Sequence, residues 1–198
     1  EVAGAVRRRV LVLNKPVGVM STVVDTHGRP TVLEIAREHG YTERLFPVGR
    51  LDLNTSGLLI LTNDGDLSYR LTHPRFKIEK TYRATVAGTV RKETAAALAA
   101  GVDLDGYRTK PCRVTIVGKR PGATVVEVRL TEGRKRQIRR MFALFGHPVV
   151  DLERIALGDL TFADLAVGRM RELSAAEERR MRELAGLEGQ GEENTVCR

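Results

Sequence analysis

The sequence predicts a mixed α+β fold with many strands and few covering helices. Short apolar runs separated by Gly and Pro recur along the chain, a pattern typical of strands. A few stretches depart from it, either by an Ala-rich composition or by apolar residues three and four positions apart, and these predict helices. Interspersed strands and helices of this kind indicate one sheet with helices packed on it.

The first predicted elements lie before residue 41. Residues 9–14 (RVLVLN) and 18–24 (GVMSTVV) are predicted strands on either side of a turn that contains Pro and Gly. Thr31 and Glu34 have the spacing of a capping box, which predicts a short helix that Gly40 ends.

Strands dominate the middle of the chain. Four apolar runs predict strands, namely residues 57–62, 79–87, 112–117 and 124–130. A turn is predicted at 63–65 (NDG), and the Ala-rich residues 92–100 predict a helix that stops at Gly101.

Two helices are predicted in the C-terminal third. Apolar residues at i, i+3, i+4 and i+7 form one helical stripe: Ile138, Met141, Phe142 and Phe145. Gly146 ends that helix. Ser174, with Glu177 three residues later, begins a last helix that ends near Gly186, and the polar residues 187–198 predict a flexible tail.

Composition restricts the classes of function. The 33 Lys and Arg against 25 Asp and Glu give a net charge of +8, which favours binding to polyanions but also fits a generally basic surface. Only two cysteines, 85 positions apart, and four histidines are present, which argues against a zinc site and a disulfide framework. Without a long apolar segment or a signal-peptide pattern, we expect a soluble, cytoplasmic protein with no membrane partner.

Two basic segments are candidates for RNA contact. Residues 134–140 (RKRQIRR) hold five cations and open the helix whose other face is apolar. A solvated charged face is the common explanation, yet five crowded cations repel one another unless an anion is bound, so we favour an RNA-facing role. Residues 70–83 place cations around Tyr82, a combination suited to base stacking with phosphate contact, although a lone Tyr in a strand is more often packing.

A third segment contains a candidate carboxylate. Asp52 follows Arg50 by two positions and precedes the apolar run at 57–62. Beside Asn, Thr, Ser and Gly, such an Asp is most often a turn or cap residue. The residues by themselves therefore predict a nucleic-acid-binding α+β domain without the common nucleotide, dinucleotide or serine-hydrolase motifs.

An ordered series of motifs resembles the pseudouridine synthases, specifically the RsuA/RluB branch that acts on ribosomal RNA. The series covers roughly residues 10 to 175 and comprises residues 13–22 (LNKPVGVMST), 28–31 (GRPT), 47–65 (PVGRLDLNTSGLLILTNDG), 70–74 (RLTHP), 79–82 (EKTY), 132–141 (EGRKRQIRRM) and 146–148 (GHP). The resemblance implies the pseudouridine synthase fold, with a mixed, mainly antiparallel central sheet flanked by a few helices and a basic catalytic cleft.

The resemblance also implies roles for residues at matching positions. Asp52 takes the place of the essential aspartate, and Arg50 that of an arginine that helps to extrude the nucleotide. Tyr82 matches a tyrosine that stacks on the flipped uracil, Arg139 an arginine that pairs with the aspartate, and Ile138 the apolar residue beside it. The implied RNA-binding residues are completed by Arg134, Lys135, Arg136, Arg140 and Lys80.

The implied reaction is the isomerisation of uridine to pseudouridine after the nucleotide is flipped from its helix or loop. No group is transferred and no redox change occurs, so we expect no cofactor and no metal. An ionised aspartate can attack the sugar or take a proton from it, and the sequence leaves both routes open. The expected partner is ribosomal RNA, and we expect a monomer.

The family pattern further predicts the organisation of the chain. Residues 1–9 resemble the end of a linker from an N-terminal RNA-binding domain that the sequence does not include, and residues 10–186 are the predicted catalytic domain, with two subdomains sharing a cleft. Residues 70–74 and 79–82 favour a large-subunit target over a small-subunit one. A tRNA-directed synthase and a non-catalytic RNA-binding or ribosome-assembly factor are the alternatives.

Overall fold

Eleven strands and five α-helices occur in residues 7–162 and 164–187, the part of the chain that the computed structural model describes. The strands are β1 Val10–Lys15, β2 Phe46–Pro47, β3 Ser56–Thr62, β4 Lys80–Ala87, β5 Asp103–Leu104, β6 Tyr107–Arg108, β7 Arg113–Arg120, β8 Ala123–Leu130, β9 Val149–Leu157, β10 Leu160–Thr161 and β11 Met170–Glu172. The helices are α1 Val32–Glu38, α2 Gly65–Thr72, α3 Lys92–Ala99, α4 Gln137–Ala143 and α5 Ala175–Leu184.

One nine-stranded sheet organises the molecule, and a small hairpin of β5 and β6 stands apart from it. The main order is β11-β1-β3-β9-β4-β8-β7, with β2 paired to β3 and β10 to β9. All pairings are antiparallel except that of β3 with β9, which joins Ser56 to Glu153 and Gly57 to Arg154. This short parallel junction connects a first sheet half (β11, β1, β2, β3) to a second sheet half (β9, β10, β4, β8, β7).

The first sheet half is buried on both faces. On one face Val12 packs in a cluster with Leu67 of α2 and Met181 of α5. On the other face Leu13 packs with Val32 of α1. Because both faces are covered, all six residues of β1 are buried, which explains why its first four, Val10 to Leu13, form a continuous apolar run.

The second sheet half is covered mainly on one face. Val126 packs there in a cluster with Leu98 of α3 and Phe142 of α4. The opposite face carries charge, with the Arg83 guanidinium 3.1 Å from the Glu127 carboxylate. The alternation of apolar and polar residues in β4 follows from this one-sided burial.

Gly57 permits the parallel junction. Its φ of +103° lies in the region that side chains avoid, and a Cβ there would overlap the carbonyl oxygen of Arg154 and lie 2.8 Å from its nitrogen. The two sheet halves can therefore approach this closely only at a glycine.

Most predicted elements are confirmed. The strands predicted at 9–14, 57–62, 79–87, 112–117 and 124–130 correspond to β1, β3, β4, β7 and β8, and the predicted helices correspond to α1, α3, α4 and α5. Both predicted capping boxes are present, at Thr31 with Glu34 and at Ser174 with Glu177.

The strand predicted at 18–24 is wrong. Only Met20 pairs there, in an isolated bridge with Thr31. Gly18 turns the chain with a φ of +85°, and Val24 is exposed. The apolar alternation of this segment therefore has no neighbouring strand to pair with.

The sequence did not predict α2, β9 or the short strands β2, β5, β6, β10 and β11. The turn predicted at 63–65 is the start of α2, where the Asp64 carboxylate accepts a hydrogen bond of 3.1 Å from the Leu67 N–H. Strand β9 is interrupted by charged residues such as Arg154, so its strand pattern is hidden, although it lies at the centre of the sheet.

Of the predicted linker at 1–9 and tail at 187–198, the structure describes only residues 7–9 and 187. The domain limits therefore stay a prediction. Within the described residues, no helix combines the length and the apolar character needed to cross a membrane.

Candidate active site

The loop that carries Asp52 leads directly into β3 and is fixed by its backbone. The Thr55 N–H donates to the Asp52 carbonyl at 3.0 Å and closes a turn. The Ser21 hydroxyl makes two hydrogen bonds to the backbone of Leu51: it donates to the carbonyl at 3.0 Å and accepts from the N–H at 3.2 Å. Leu51 and Thr55 are both buried, whereas Asp52 between them is half-buried. The loop therefore holds its ends in the core and presents the carboxylate at the surface of a cavity.

Arg139 of α4 reaches this loop, but through a different contact from the predicted one. Its guanidinium donates to the Asn54 carbonyl at 2.6 Å and to the Val149 carbonyl at 3.1 Å. No ion pair within 4.0 Å joins it to Asp52, so the predicted direct pairing is not present among the described residues. Burial lowers the pKa of Arg139, and the Asp52 charge acts at longer range to raise it. Arg139 thus positions the loop and contributes its charge from a distance.

Lys15 places a second cation near Asp52, and it was missed because the sequence prediction used it only as part of a motif. The side chain is fully buried, and its amine donates to the carbonyls of Pro16 and Val19 at 2.8 Å each. Burial lowers its pKa to about 8, while the charge of Asp52 acts in the opposite direction. In the sequence, the available signal was a lysine close behind the apolar run Val10 to Leu13.

A cavity of about 390 Å³ opens in front of Asp52 where the two sheet halves meet. Seven predicted site residues line it: Arg50, Asp52, Tyr82, Arg134, Lys135, Arg136 and Ile138. The predicted basic cleft is therefore present. Lys80, Arg139 and Arg140 are not part of this wall, and Lys80 instead lines a smaller adjoining cavity.

Tyr82 forms one wall of the cavity from β4. It is half-buried and lies between Val128 of β8 and Arg154 of β9 in the sheet. Its ring packs against the edges of two core clusters, so the strand pairs restrict where it can lie. A flat aromatic surface held in this way suits stacking with a planar base.

The basic segment before α4 is held by a buried carboxylate. Glu132 accepts hydrogen bonds from the Tyr107 hydroxyl at 2.6 Å, the Lys110 N–H at 2.9 Å and the Gln137 amide at 2.5 Å. Gln137 in turn accepts from the Arg134 N–H at 3.1 Å. The Arg134 guanidinium lies over the Tyr107 ring, 3.3 Å from its centre. The β5–β6 hairpin therefore shapes the basic segment from outside the sheet.

The cations of this segment differ in their surroundings. Arg136 has a left-handed backbone with φ of +53° and lines the cavity. Arg140, one helical turn later, forms an ion pair with Asp105 of the hairpin. Arg136 is thus directed to the cavity, whereas Arg140 ties α4 to the hairpin.

Comparison of the sequence with known protein families identifies the family to which this cavity belongs. Residues 9–144, more than half of the chain, match the family described as RNA pseudouridylate synthase. The chain belongs to this family. It is an RNA pseudouridine synthase, an isomerase, and its predicted resemblance to the RsuA/RluB branch is confirmed.

Named relatives of this pseudouridine synthase cover most of its length. An uncharacterized RNA pseudouridine synthase of Aquifex aeolicus is 40% identical over 182 residues, which span 91% of this chain and 72% of that protein. Ribosomal large subunit pseudouridine synthase B of Bacillus subtilis is 39% identical over 175 residues, with 87% and 71% covered.

Solved structures confirm the predicted pseudouridine synthase fold. A crystal structure of pseudouridylate synthase is 34% identical, with a TM-score of 0.77 over 90% of this chain and 74% of that one. A human protein, RNA pseudouridylate synthase domain containing 1, shares the fold at 18% identity and a TM-score of 0.56, with 85% and 80% covered.

Proposed function

We propose that this pseudouridine synthase modifies a specific uridine of ribosomal RNA, and of the large subunit in particular, with Asp52 as the catalytic carboxylate. The 39% identity to a Bacillus subtilis enzyme named for the large ribosomal subunit supports the choice of RNA. The RLTHP and EKTY motifs at residues 70–74 and 79–82 support it as well.

One observation carries the catalytic assignment. Asp52 lines the cavity, and apart from its backbone bond to Thr55 it makes no hydrogen bond or ion pair with another described residue. Cations stand near it, from Lys15 and Arg139 behind the loop to Arg50 in the cavity wall. The carboxylate is therefore accessible from the cavity and not engaged by the protein, as a group that acts on a substrate must be.

The remaining wall residues fit an everted nucleotide. Tyr82 stacks on the uracil, Ile138 packs beside it, and Arg50 helps to hold the nucleotide out of its helix. Phosphates of the RNA lie against Arg134, Lys135 and Arg136, with Arg140 contributing from further along α4.

The reaction balances without a co-reactant. Asp52 acts at the sugar, by attack or by removal of a proton, and the bond between C1′ and N1 of uracil breaks. The uracil turns and C5 bonds to C1′. C5 then loses its hydrogen while N1 gains one, so the product is an isomer of the substrate. Tyr82, which lines the cavity, takes part in this proton transfer as well as in stacking.

The test is chemical mapping of pseudouridine in ribosomal RNA from cells with and without the protein. We expect one position of the large-subunit RNA to lose its pseudouridine and to regain it with the wild-type gene but not with Asp52→Asn. A complete set of rRNA pseudouridines in the deleted strain would contradict the ribosomal assignment. Restoration by Asp52→Asn would instead contradict the catalytic one and favour a non-catalytic factor.

A further inference from the structure

A smaller cavity of about 160 Å³ adjoins the main one and shares Arg50, Tyr82 and Gly133 with its wall. Its own wall is formed on one side by Lys80 of β4 and Arg154 of β9. None of the roles assigned above to the main cavity requires this second space.

The cationic side chains of Lys80 and Arg154 both line this wall, and neither has an acidic partner among the described residues. Arg154 is only 3% exposed, and its Nε donates to the Leu58 carbonyl at 2.8 Å, but its buried Nη2 has no hydrogen-bond partner among the described residues. The Lys80 amine donates to the Ile78 carbonyl at 3.2 Å. Neither cation lies within 4.0 Å of a described carboxylate. Burial, and then the charge of Arg154, lower the pKa of Lys80 to about 8.

The acidic residue of the same wall does not relieve this charge. Glu132 lines the cavity, but its carboxylate already accepts hydrogen bonds from Tyr107, Lys110 and Gln137. A buried cation beside a half-buried one costs folding free energy unless an anion accompanies them. Three cationic side chains, those of Arg154, Lys80 and the shared Arg50, therefore line a space suited to a tetrahedral oxyanion.

We propose that the smaller cavity is a phosphate subsite, and that it takes the backbone phosphate adjoining the everted nucleotide. The assignment to an RNA phosphate rests on the proposed function, because it supposes a nucleotide in the main cavity. Since the two cavities share a wall, a nucleotide stacked on Tyr82 can extend its neighbouring phosphate between Lys80 and Arg154. Such a contact would position the substrate without touching the reacting atoms.

Binding of inorganic phosphate to the RNA-free protein tests the subsite directly. Isothermal titration calorimetry at low salt would compare the wild type with Lys80→Met, which removes the charge at similar length, and with Lys80→Arg, which restores it. Lys119→Met is the matched control, because Lys119 is exposed on β7 and lines neither cavity. We expect Lys80→Met to weaken phosphate binding at least about tenfold, with Lys80→Arg and Lys119→Met near the wild type. Equal phosphate affinity in a folded Lys80→Met protein would overturn the subsite.

A second measurement distinguishes RNA phosphate from free phosphate. An RNA that the wild-type enzyme modifies is prepared with single neutral methylphosphonate linkages around the target uridine. We expect one linkage to weaken binding to the wild type and to have no further effect on Lys80→Met. Loss of inorganic phosphate binding in Lys80→Met without coupling at any linkage would indicate a free-anion site and overturn the RNA assignment. A wild type that modifies no RNA would contradict the proposed function alone, since the phosphate titration needs no RNA.

Discussion

Asp52 has a half-buried carboxylate with cationic side chains near it, but no described residue donates a hydrogen bond to that carboxylate. The side chains of Lys15 and Arg139 donate hydrogen bonds to backbone carbonyls and not to Asp52. Their positive charges therefore act on Asp52 only through space. A carboxylate held in a tight ion pair would have to break that pair before it could attack. The arrangement leaves the Asp52 carboxylate free of hydrogen bonds and ion pairs among the described residues.

Replacing Asp52 with Asn tests this directly. The amide keeps the shape of the side chain but removes the charge and the nucleophilic oxygen, so we expect product formation to be abolished while the Kd for RNA changes less than about threefold. Single-turnover assays and filter binding on the same RNA measure both quantities. Measurable turnover by Asp52→Asn would contradict the assigned role.

Lys15 gives a prediction about pH. The folded protein lowers its pKa from 10.5 to about 8, so between these values the unfolded chain holds a proton that the folded protein has lost. Raising the pH through this window therefore favours the folded state, by at most about 1.4 kcal/mol per pH unit. Urea unfolding of the wild type and Lys15→Met should show the wild type gaining stability relative to the variant from pH 8 to 10.5. A difference that stays flat, or falls, would show that the ammonium is not held at a penalty.

At the level of elements, α4 is fastened to the Asp52 loop by one guanidinium that spans two carbonyls. Arg139→Lys keeps the positive charge but replaces the guanidinium with a single ammonium on a shorter side chain. That ammonium cannot donate hydrogen bonds to the carbonyls of both Asn54 and Val149. We expect kcat to fall roughly tenfold to a hundredfold, with KM nearly unchanged, because a small displacement of the proposed catalytic carboxylate is enough. Steady-state kinetics of Arg139→Lys and Arg139→Met measure this. A wild-type kcat in Arg139→Lys would mean that charge alone matters.

The basic segment and the β5–β6 hairpin make a second element-level prediction. Arg136 lines the cavity, whereas Arg140 is paired with Asp105. We therefore expect Arg136→Glu to weaken RNA binding more than Arg140→Glu, and to reduce the slope of log K against log salt by about 1. Binding titrations between 50 and about 200 mM salt give both values. An unchanged slope in Arg136→Glu would place the RNA backbone elsewhere.

At the level of the whole molecule, the parallel junction depends on Gly57. A Cβ there meets the backbone of Arg154, which cannot move without separating the two sheet halves. We expect Gly57→Ala to lower the free energy of unfolding by about 3 kcal/mol, from overlap added to the strained φ. Gly122→Ala is the control, because its φ of +69° is also positive but nothing lies within 4 Å of its Cβ. If urea denaturation showed an equal loss of unfolding free energy in the two variants, overlap with the Arg154 backbone would be excluded as the cause.

The sequence predicted those parts of the molecule that short segments determine. Capping boxes, buried strands and the amphipathic α4 are local patterns, and the family motifs identified the cavity residues. Arg154 and Glu132 were missed as site residues because their surroundings come from distant segments. Arg154 bonds to Leu58, 96 positions away, and in the sequence it only interrupts an apolar strand. The predicted Asp52–Arg139 pair shows the same limit, since a motif indicates which residues meet but not which atoms touch.

The bond between Arg139 and Asn54 links positions 85 apart, and this has a consequence for protein synthesis. A growing chain exposes the aspartate loop well before α4 leaves the ribosome. Until then the Asn54 carbonyl lacks the guanidinium that binds it, and residues 134–136 of the cavity wall have not been synthesised. A partly translated chain therefore lacks the complete cavity, which forms only when the last third of the chain has folded.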